Sequence, residues 1–120
     1  MSTSAFKRKL SGSTDGKAIK VTQTATAGDT IHAAIAGTSE GSFDEIWLWA
    51  YNGHTADVLL TIEFGGATVP DQNIVMTIPY KSGLIPIVPG LILQNSMTVK
   101  AFAATTNVIT IIGFVNRMSD

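Results

Sequence analysis

The sequence predicts an all-β protein, a jelly-roll-like antiparallel β-sandwich of about eight strands. Short segments rich in β-branched and aromatic residues recur at spacings of roughly 8–12 residues, with turn-forming residues between them, a pattern typical of an all-β sandwich or barrel. No segment shows the 3.6-residue apolar period of a long amphipathic helix. A chain of 120 residues without cysteine is expected to form one domain with a sizeable core and no disulfide framework.

The first 17 residues differ in character from the rest of the chain. They are polar and small and show no periodicity, so we predict an extended basic N-terminal arm over residues 1–17 and a sandwich domain over residues 18–120. The arm is either a frayed terminus or a segment that reaches a neighbouring subunit or an acidic surface. It holds four of the chain's eight basic residues, namely Lys7, Arg8, Lys9 and Lys17.

Two short strands are predicted after the arm. In residues 18–26 apolar and polar side chains alternate, with Ile19, Val21 and Ala25 facing inward, as in a half-buried strand. Residues 30–36 form a second strand in this interpretation. A single helical turn remains the alternative there because alanine is frequent.

The fold is expected to be organised around the strand that follows, residues 46–51. Alternation places Ile46, Leu48 and Ala50 on one face, and the opposite face is aromatic. Both faces are apolar, so this strand cannot lie open to water on either side. The aromatic side of this strand belongs to the core or to a subunit interface. Its members are Trp47, Trp49 and Tyr51.

The next strand, residues 58–64, has a more ordinary pattern. Val58, Leu60, Ile62 and Phe64 line one face, and Thr61 and Glu63 are expected on the solvent face. The intervening Asn-Gly pair, residues 52–53, favours a tight turn because it tolerates positive φ angles.

Four further strands complete the prediction. They cover residues 73–79, 84–93, 97–104 and 108–116. Pro86 and Pro89 interrupt the second of these, which places it at a sheet edge or a corner because proline cannot donate to a ladder. The last strand is again apolar on both faces, so Ile109 and Ile111 also belong to the core or to an oligomer interface.

The composition favours self-association. Charged residues make up 14% of the chain, against roughly 25% in ordinary soluble domains. So little charge, with two strands apolar on both faces, is typical of an obligate oligomer, although a threonine-rich monomer can look similar. Residues 28–71 contain seven acids and no lysine or arginine, so the basic arm of one copy could dock on the acidic loops of another or of a partner.

The sequence shows no pattern of catalysis or cofactor binding. His32 and His54 are the only histidines, and the best ligand set, His54 with Asp57 or Glu63, lacks the spacing of a metal site. There is no nucleophile elbow and no phosphate-binding glycine loop. We therefore expect no enzyme, no cofactor and no metal. A net charge of −1 argues against nucleic acid, and no apolar run is long enough to span a membrane.

Several blocks of the chain resemble small virion proteins of tailed bacteriophages, in particular those encoded beside the major capsid protein. The likeness is one of pattern over residues 10–117, without a catalytic motif. Its main blocks are residues 46–52 (IWLWAYN), 60–66 (LTIEFGG), 78–84 (IPYKSGL), 88–91 (VPGL) and 99–104 (VKAFAA), with 10–17 (LSGSTDGK) in the arm.

This resemblance implies a capsid decoration, or cement, protein on the outside of the phage head. Such a protein is a compact β-sandwich, often a homotrimer, that clamps capsomers of the major capsid protein. Under this hypothesis the arm grips the capsid lattice or an adjacent subunit. The arm residues in question are Phe6, Lys7, Arg8, Lys9 and Leu10.

The alternative is a carbohydrate- or receptor-binding β-sandwich of a phage tail or fibre. It would use the aromatic strand of Trp47, Trp49 and Tyr51 as a binding surface. Exposed tryptophans would favour this alternative, and buried ones would favour packing in a core or an interface.

Overall fold

The structure, a computed structural model, describes residues 4–120. Nine strands lie in this part of the chain, and no helix of it is long and apolar enough to cross a membrane. The strands are β1 (Ser4–Lys9), β2 (Ile19–Lys20), β3 (Asp29–Ala33), β4 (Phe43–Asn52), β5 (Val58–Phe64), β6 (Asn73–Ile78), β7 (Ile85–Leu93), β8 (Thr98–Ala103) and β9 (Ile109–Ser119).

The strands form two antiparallel sheets. The first has the order β1-β9-β4-β7, with β2 also paired to β9, and the second has the order β3-β8-β5-β6. Successive strands from β3 onward alternate between the sheets, except that β5 and β6 form a hairpin. The predicted all-β class and antiparallel sandwich are confirmed.

The core lies between the two sheets. Ile46, Leu48 and Ala50 of β4 face it with no more than 1% of their surface exposed. Ile109 and Ile111 of β9 are fully buried beside them, so they pack within the core of a single chain. Burying these apolar side chains is the main favourable term that holds the two sheets together.

The proline-rich strand lies where its sequence predicts. β7 is the last strand of the five-stranded sheet, and its pairing with β4 shifts register twice near Pro86 and Pro89. An edge position leaves one side of the strand without ladder partners, which is the side a proline can occupy without losing a hydrogen bond.

The strand predicted over residues 18–26 is much shorter in the structure. Only Ile19 and Lys20 pair with β9 as a strand, the N–H of Val21 still donates to the Ile109 carbonyl, and the chain then leaves the sheet. The Asp29 carboxylate accepts hydrogen bonds from the backbone N–H groups of Thr22 and Gln23, and these hold residues 22–29 in a loop. Such side-chain acceptors compete with a strand partner for the same donors. The inward position predicted for Ala25 is wrong, because this residue is exposed.

That loop also explains why Glu63 is not on a solvent face. Glu63 is 3% exposed and Thr61 6%, contrary to the prediction for this side of β5. The hydroxyl of Thr26 and the backbone N–H of Gly28, 2.7 Å away, both donate to the Glu63 carboxylate. A buried carboxylate needs such donors to offset the loss of water.

The described part of the predicted arm belongs to the five-stranded sheet. Residues 4–9 pair antiparallel with residues 114–119 of β9, and their side chains are exposed. Leu10, which follows, is 1% exposed and packs in the core. Leu10 therefore anchors the segment to the sandwich and is not available to a partner, whereas Phe6, at 54% exposure, is accessible.

Candidate functional site

Three aromatic rings lie together on the outer face of the five-stranded sheet. Trp47 and Trp49 come from β4, and Phe114 comes from the neighbouring β9, where it pairs with Trp47. The ring centroids are 6.0–6.4 Å apart, and the ring planes differ by only 17–28°. All three side chains are half-buried. We call this cluster the aromatic face.

The orientation of Trp47 is fixed from two sides. Its indole Nε1–H donates to Glu45 Oε1 at 2.8 Å, and Asn116 donates to the same oxygen at 3.0 Å. A Cβ at Gly90 would fall 2.7 Å from an indole carbon, so the ring lies against the backbone of β7. The three nearly parallel rings therefore pack against one another and form an apolar area on the sheet surface.

The basic strand β1 reaches the edge of this area. The Lys7 ammonium lies 4.5 Å from the centroid of the Phe114 ring, a cation–π contact. Hydrogen bonds from Asn116 and Trp47 lower the pKa of Glu45, so this residue carries a negative charge at neutral pH. The aromatic face is thus bordered by one cation and one anion.

The sequence analysis left open whether these predicted residues lie in the core or at an interface. The structure divides them into two groups. Trp47, Trp49 and Tyr51 lie on the outer face and keep part of their surface accessible, whereas Ile109 and Ile111 are in the core. Phe114 and Asn116 were not predicted as site residues. Their register opposite Trp47 and Glu45 depends on pairing between strands more than 60 residues apart.

A second cluster lies inside the sandwich, at the other face of β4. Arg117 binds the Asp44 carboxylate through both Nε and Nη2, at 2.7 and 2.9 Å. His32 Nε2 lies 2.6 Å from Asp44 Oδ2, and the backbone N–H of Ser11 donates to His32 Nδ1. With Nδ1 accepting, the remaining proton sits on Nε2, so a neutral His32 donates to Asp44.

Burial and hydrogen bonding set the charges in this cluster. Burial, the largest influence, and the nearby Arg117 charge lower the pKa of His32, whereas the Asp44 carboxylate raises it. The resulting pKa lies below the ordinary value, so the ring is neutral at pH 7. Burial alone would raise the pKa of Asp44, but hydrogen bonds from Arg117 and His32 outweigh it and lower that pKa. The cluster is therefore a buried carboxylate held by one guanidinium and one neutral imidazole.

Acidification is expected to destabilise the fold through His32. Its folded pKa lies below the ordinary 6.5, so between the two values the unfolded state binds more protons and stability falls as the pH falls. Asp44 adds a second loss at pH values below its ordinary 3.8, as the folded carboxylate is protonated. Urea unfolding at pH values above and below 6.5 should show the first loss.

The matched variants for this pH effect change one histidine each. His32→Gln should flatten the change in unfolding free energy across pH 6.5. His54→Gln, at the opposite end of β4, should retain it. An undiminished pH dependence in His32→Gln would contradict the assignment to this cluster.

Neither cluster has the composition of a metal centre. Within residues 4–120 no group of three or more His, Asp or Glu side chains is arranged to hold a metal ion. His54 lies in the β4–β5 loop, where its N–H donates to Asn52 Oδ1.

Comparisons of the chain with family models, curated proteins and solved structures give no match.

Proposed function

We propose that this protein is a non-enzymatic virion structural protein, a capsid decoration protein on the exterior of a phage head. The observation that favours this function is the aromatic face, with the basic strand β1 at its border. An accessible apolar area rimmed by charge is typical of a surface that another protein covers. In this proposal it packs against a second subunit, in a homotrimer, or against the major capsid protein.

The strand order supports the jelly-roll part of the proposal. If β1 and β2 are counted as one strand, eight strands are divided between two sheets of four. The first then contains strands one, eight, three and six in that order, and the second contains two, seven, four and five. This is the order expected of a double-sheet jelly roll, an architecture found in viral capsid domains.

The charges favour a capsid surface over self-docking as the target of β1. Of the seven acids in residues 28–71, five are engaged by hydrogen bonds within the chain: Asp29, Asp44, Glu45, Asp57 and Glu63. Asp44 and Glu63 are also buried, so neither can meet the basic strand of another copy. The three consecutive cations of β1 are exposed, and an acidic area on the capsid protein would complement them.

The test is occupancy of purified capsids by a triple variant, Lys7→Gln/Arg8→Gln/Lys9→Gln. Pairing of β1 with β9 is made by the backbone, so the sheet should survive. Three exposed ion pairs at about 0.5 kcal/mol each predict a roughly tenfold weaker capsid affinity. The matched control, Lys17→Gln/Lys20→Gln/Lys81→Gln, removes three exposed cations outside β1 and should bind normally. Equal capsid affinity of the two triple variants would show that β1 is not part of the interface with the capsid.

A second candidate is a carbohydrate- or receptor-binding module. The specific observation in its favour is that Trp47, Trp49 and Phe114 are nearly parallel and partly accessible, since the flat apolar face of a sugar ring packs on such aromatic surfaces. Glycans that bind there should quench tryptophan fluorescence in a saturable way. No quenching across a glycan panel, with emission that shifts to the blue on capsid binding, would favour the decoration function.

A further inference from the structure

The edge strands of the sandwich differ in how they are protected. β1 carries three consecutive cations, β2 beside it is only two residues long, β7 contains two prolines, and β3 has a register shift in its pairing with β8. Each of these features discourages another chain from adding to the edge. β6, with the sequence NIVMTI, has no charge and no proline, and it pairs with β5 in unbroken register over six residues. It is the one unprotected edge among the described strands.

The surface beside this edge is apolar. Val75 is 54% exposed on the outer face of β6, and Leu59 of the neighbouring β5 is 48% exposed. Val75 pairs with Thr61, which is buried, and Leu59 pairs with Thr77, so the exposed side chains of Val75, Leu59 and Thr77 form the patch beside this edge. A strand added to β6 would cover the Val75 side chain as well as fill the open ladder.

The charges that flank β6 select the direction of an added copy. Asp71 precedes the strand and Lys81 follows it, and residues 72–80 between them carry no charge. Antiparallel pairing of two β6 strands brings the Asp71 end of one copy to the Lys81 end of the other, at both ends of the pairing. A parallel arrangement would bring like charges together, which costs free energy.

We propose that β6 pairs antiparallel with β6 of a second copy of this chain, about a two-fold axis at Val75. Directly opposite residues in an antiparallel ladder share a face, so the axis must pass through a residue position. Val75 is the exposed choice, whereas Met76 faces the core side. The two four-stranded sheets then join into one continuous sheet. This contact lies on the opposite sheet from the aromatic face, so it is independent of the proposed function and one subunit can make both contacts.

The test is the mass of Val75→Lys in solution, measured by light scattering and sedimentation. Two lysines opposite each other at the axis repel, so the mass should fall to half that of the unchanged protein. Val69→Lys, a change at a loop residue that is 72% exposed, is the matched control and should leave the mass unchanged. Circular dichroism and thermal unfolding establish that both variants are folded.

A charge-complementation experiment makes the test specific. Val75→Glu alone should also show half the mass, and an equimolar mixture of Val75→Lys and Val75→Glu should recover the full mass. Two results would overturn the proposal: a monomeric unchanged protein at high concentration, or a Val75→Lys protein with undiminished mass. Neither result involves capsids, so failure here is distinct from failure of the proposed decoration function.

Discussion

Replacing Asp44 with alanine is expected to destabilise the protein by about 3 kcal/mol, the lower end of what removing one partner of a buried ion pair costs. Asp44 is fully buried, and it accepts hydrogen bonds from both Arg117 and His32. Its loss leaves Arg117 without its carboxylate. The lower end applies because Arg117 keeps 22% of its side chain accessible and can recover some contact with water. Urea unfolding at neutral pH measures the difference.

The control for this prediction is Glu40→Ala, which removes an exposed carboxylate from the β3–β4 loop. Surface changes of this kind usually alter stability by less than about 0.5 kcal/mol. A loss below about 1 kcal/mol in Asp44→Ala would show that the Arg117–Asp44–His32 cluster contributes little, and that water replaces its contacts easily.

Replacing Gly113 with alanine is expected to have an effect of similar size or larger. Gly113 lies in β9 opposite Leu48. A Cβ at this position would lie far inside contact distance of the Trp47 carbonyl oxygen, which is backbone and cannot rotate away. β9 would have to move off β4. Because β4 and β9 are the two central strands of their sheet, we expect a loss of more than about 3 kcal/mol or a failure to fold.

The same close approach sets the geometry of the aromatic face. Phe114 follows Gly113 directly, so a displaced β9 also moves Phe114 away from Trp47 and Trp49. Tryptophan emission of Gly113→Ala should therefore shift even where the protein remains folded. Gly53→Ala is the matched control, because the added Cβ would lie an ordinary 3.4 Å from its nearest neighbour, a ring carbon of Tyr51. Unchanged stability and emission in Gly113→Ala would mean that β9 can relax without disturbing the sheet.

Local sequence patterns predicted much of this fold. The alternation of Ile46, Leu48 and Ala50 with Trp47 and Trp49 gave both faces of β4, because a strand turns successive side chains to opposite sides whatever its neighbours are. The bounds predicted for β5, residues 58–64, match the structure. The prolines of β7 predicted an edge because the missing N–H is a property of the residue itself.

The tertiary structure alone decided how distant segments share their polar groups. The alternation along β5 predicts Glu63 on the solvent face, but the loop that carries Thr26 and Gly28 covers it. His32, Asp44 and Arg117 meet although 85 positions separate the first from the last, and no local pattern marks them as partners.

The sequence by itself thus determined which side chains share a strand face, where the chain turns and which strand lies at a sheet edge. These features depend on backbone geometry over a few positions. It also placed the cations of β1 near the N-terminus, but only the pairing of β1 with β9 brought Lys7 onto Phe114 and made a basic border for the aromatic face. Burial, ion pairing and strand order depend on contacts between residues far apart in the chain. The packing of the two sheets against each other sets all three.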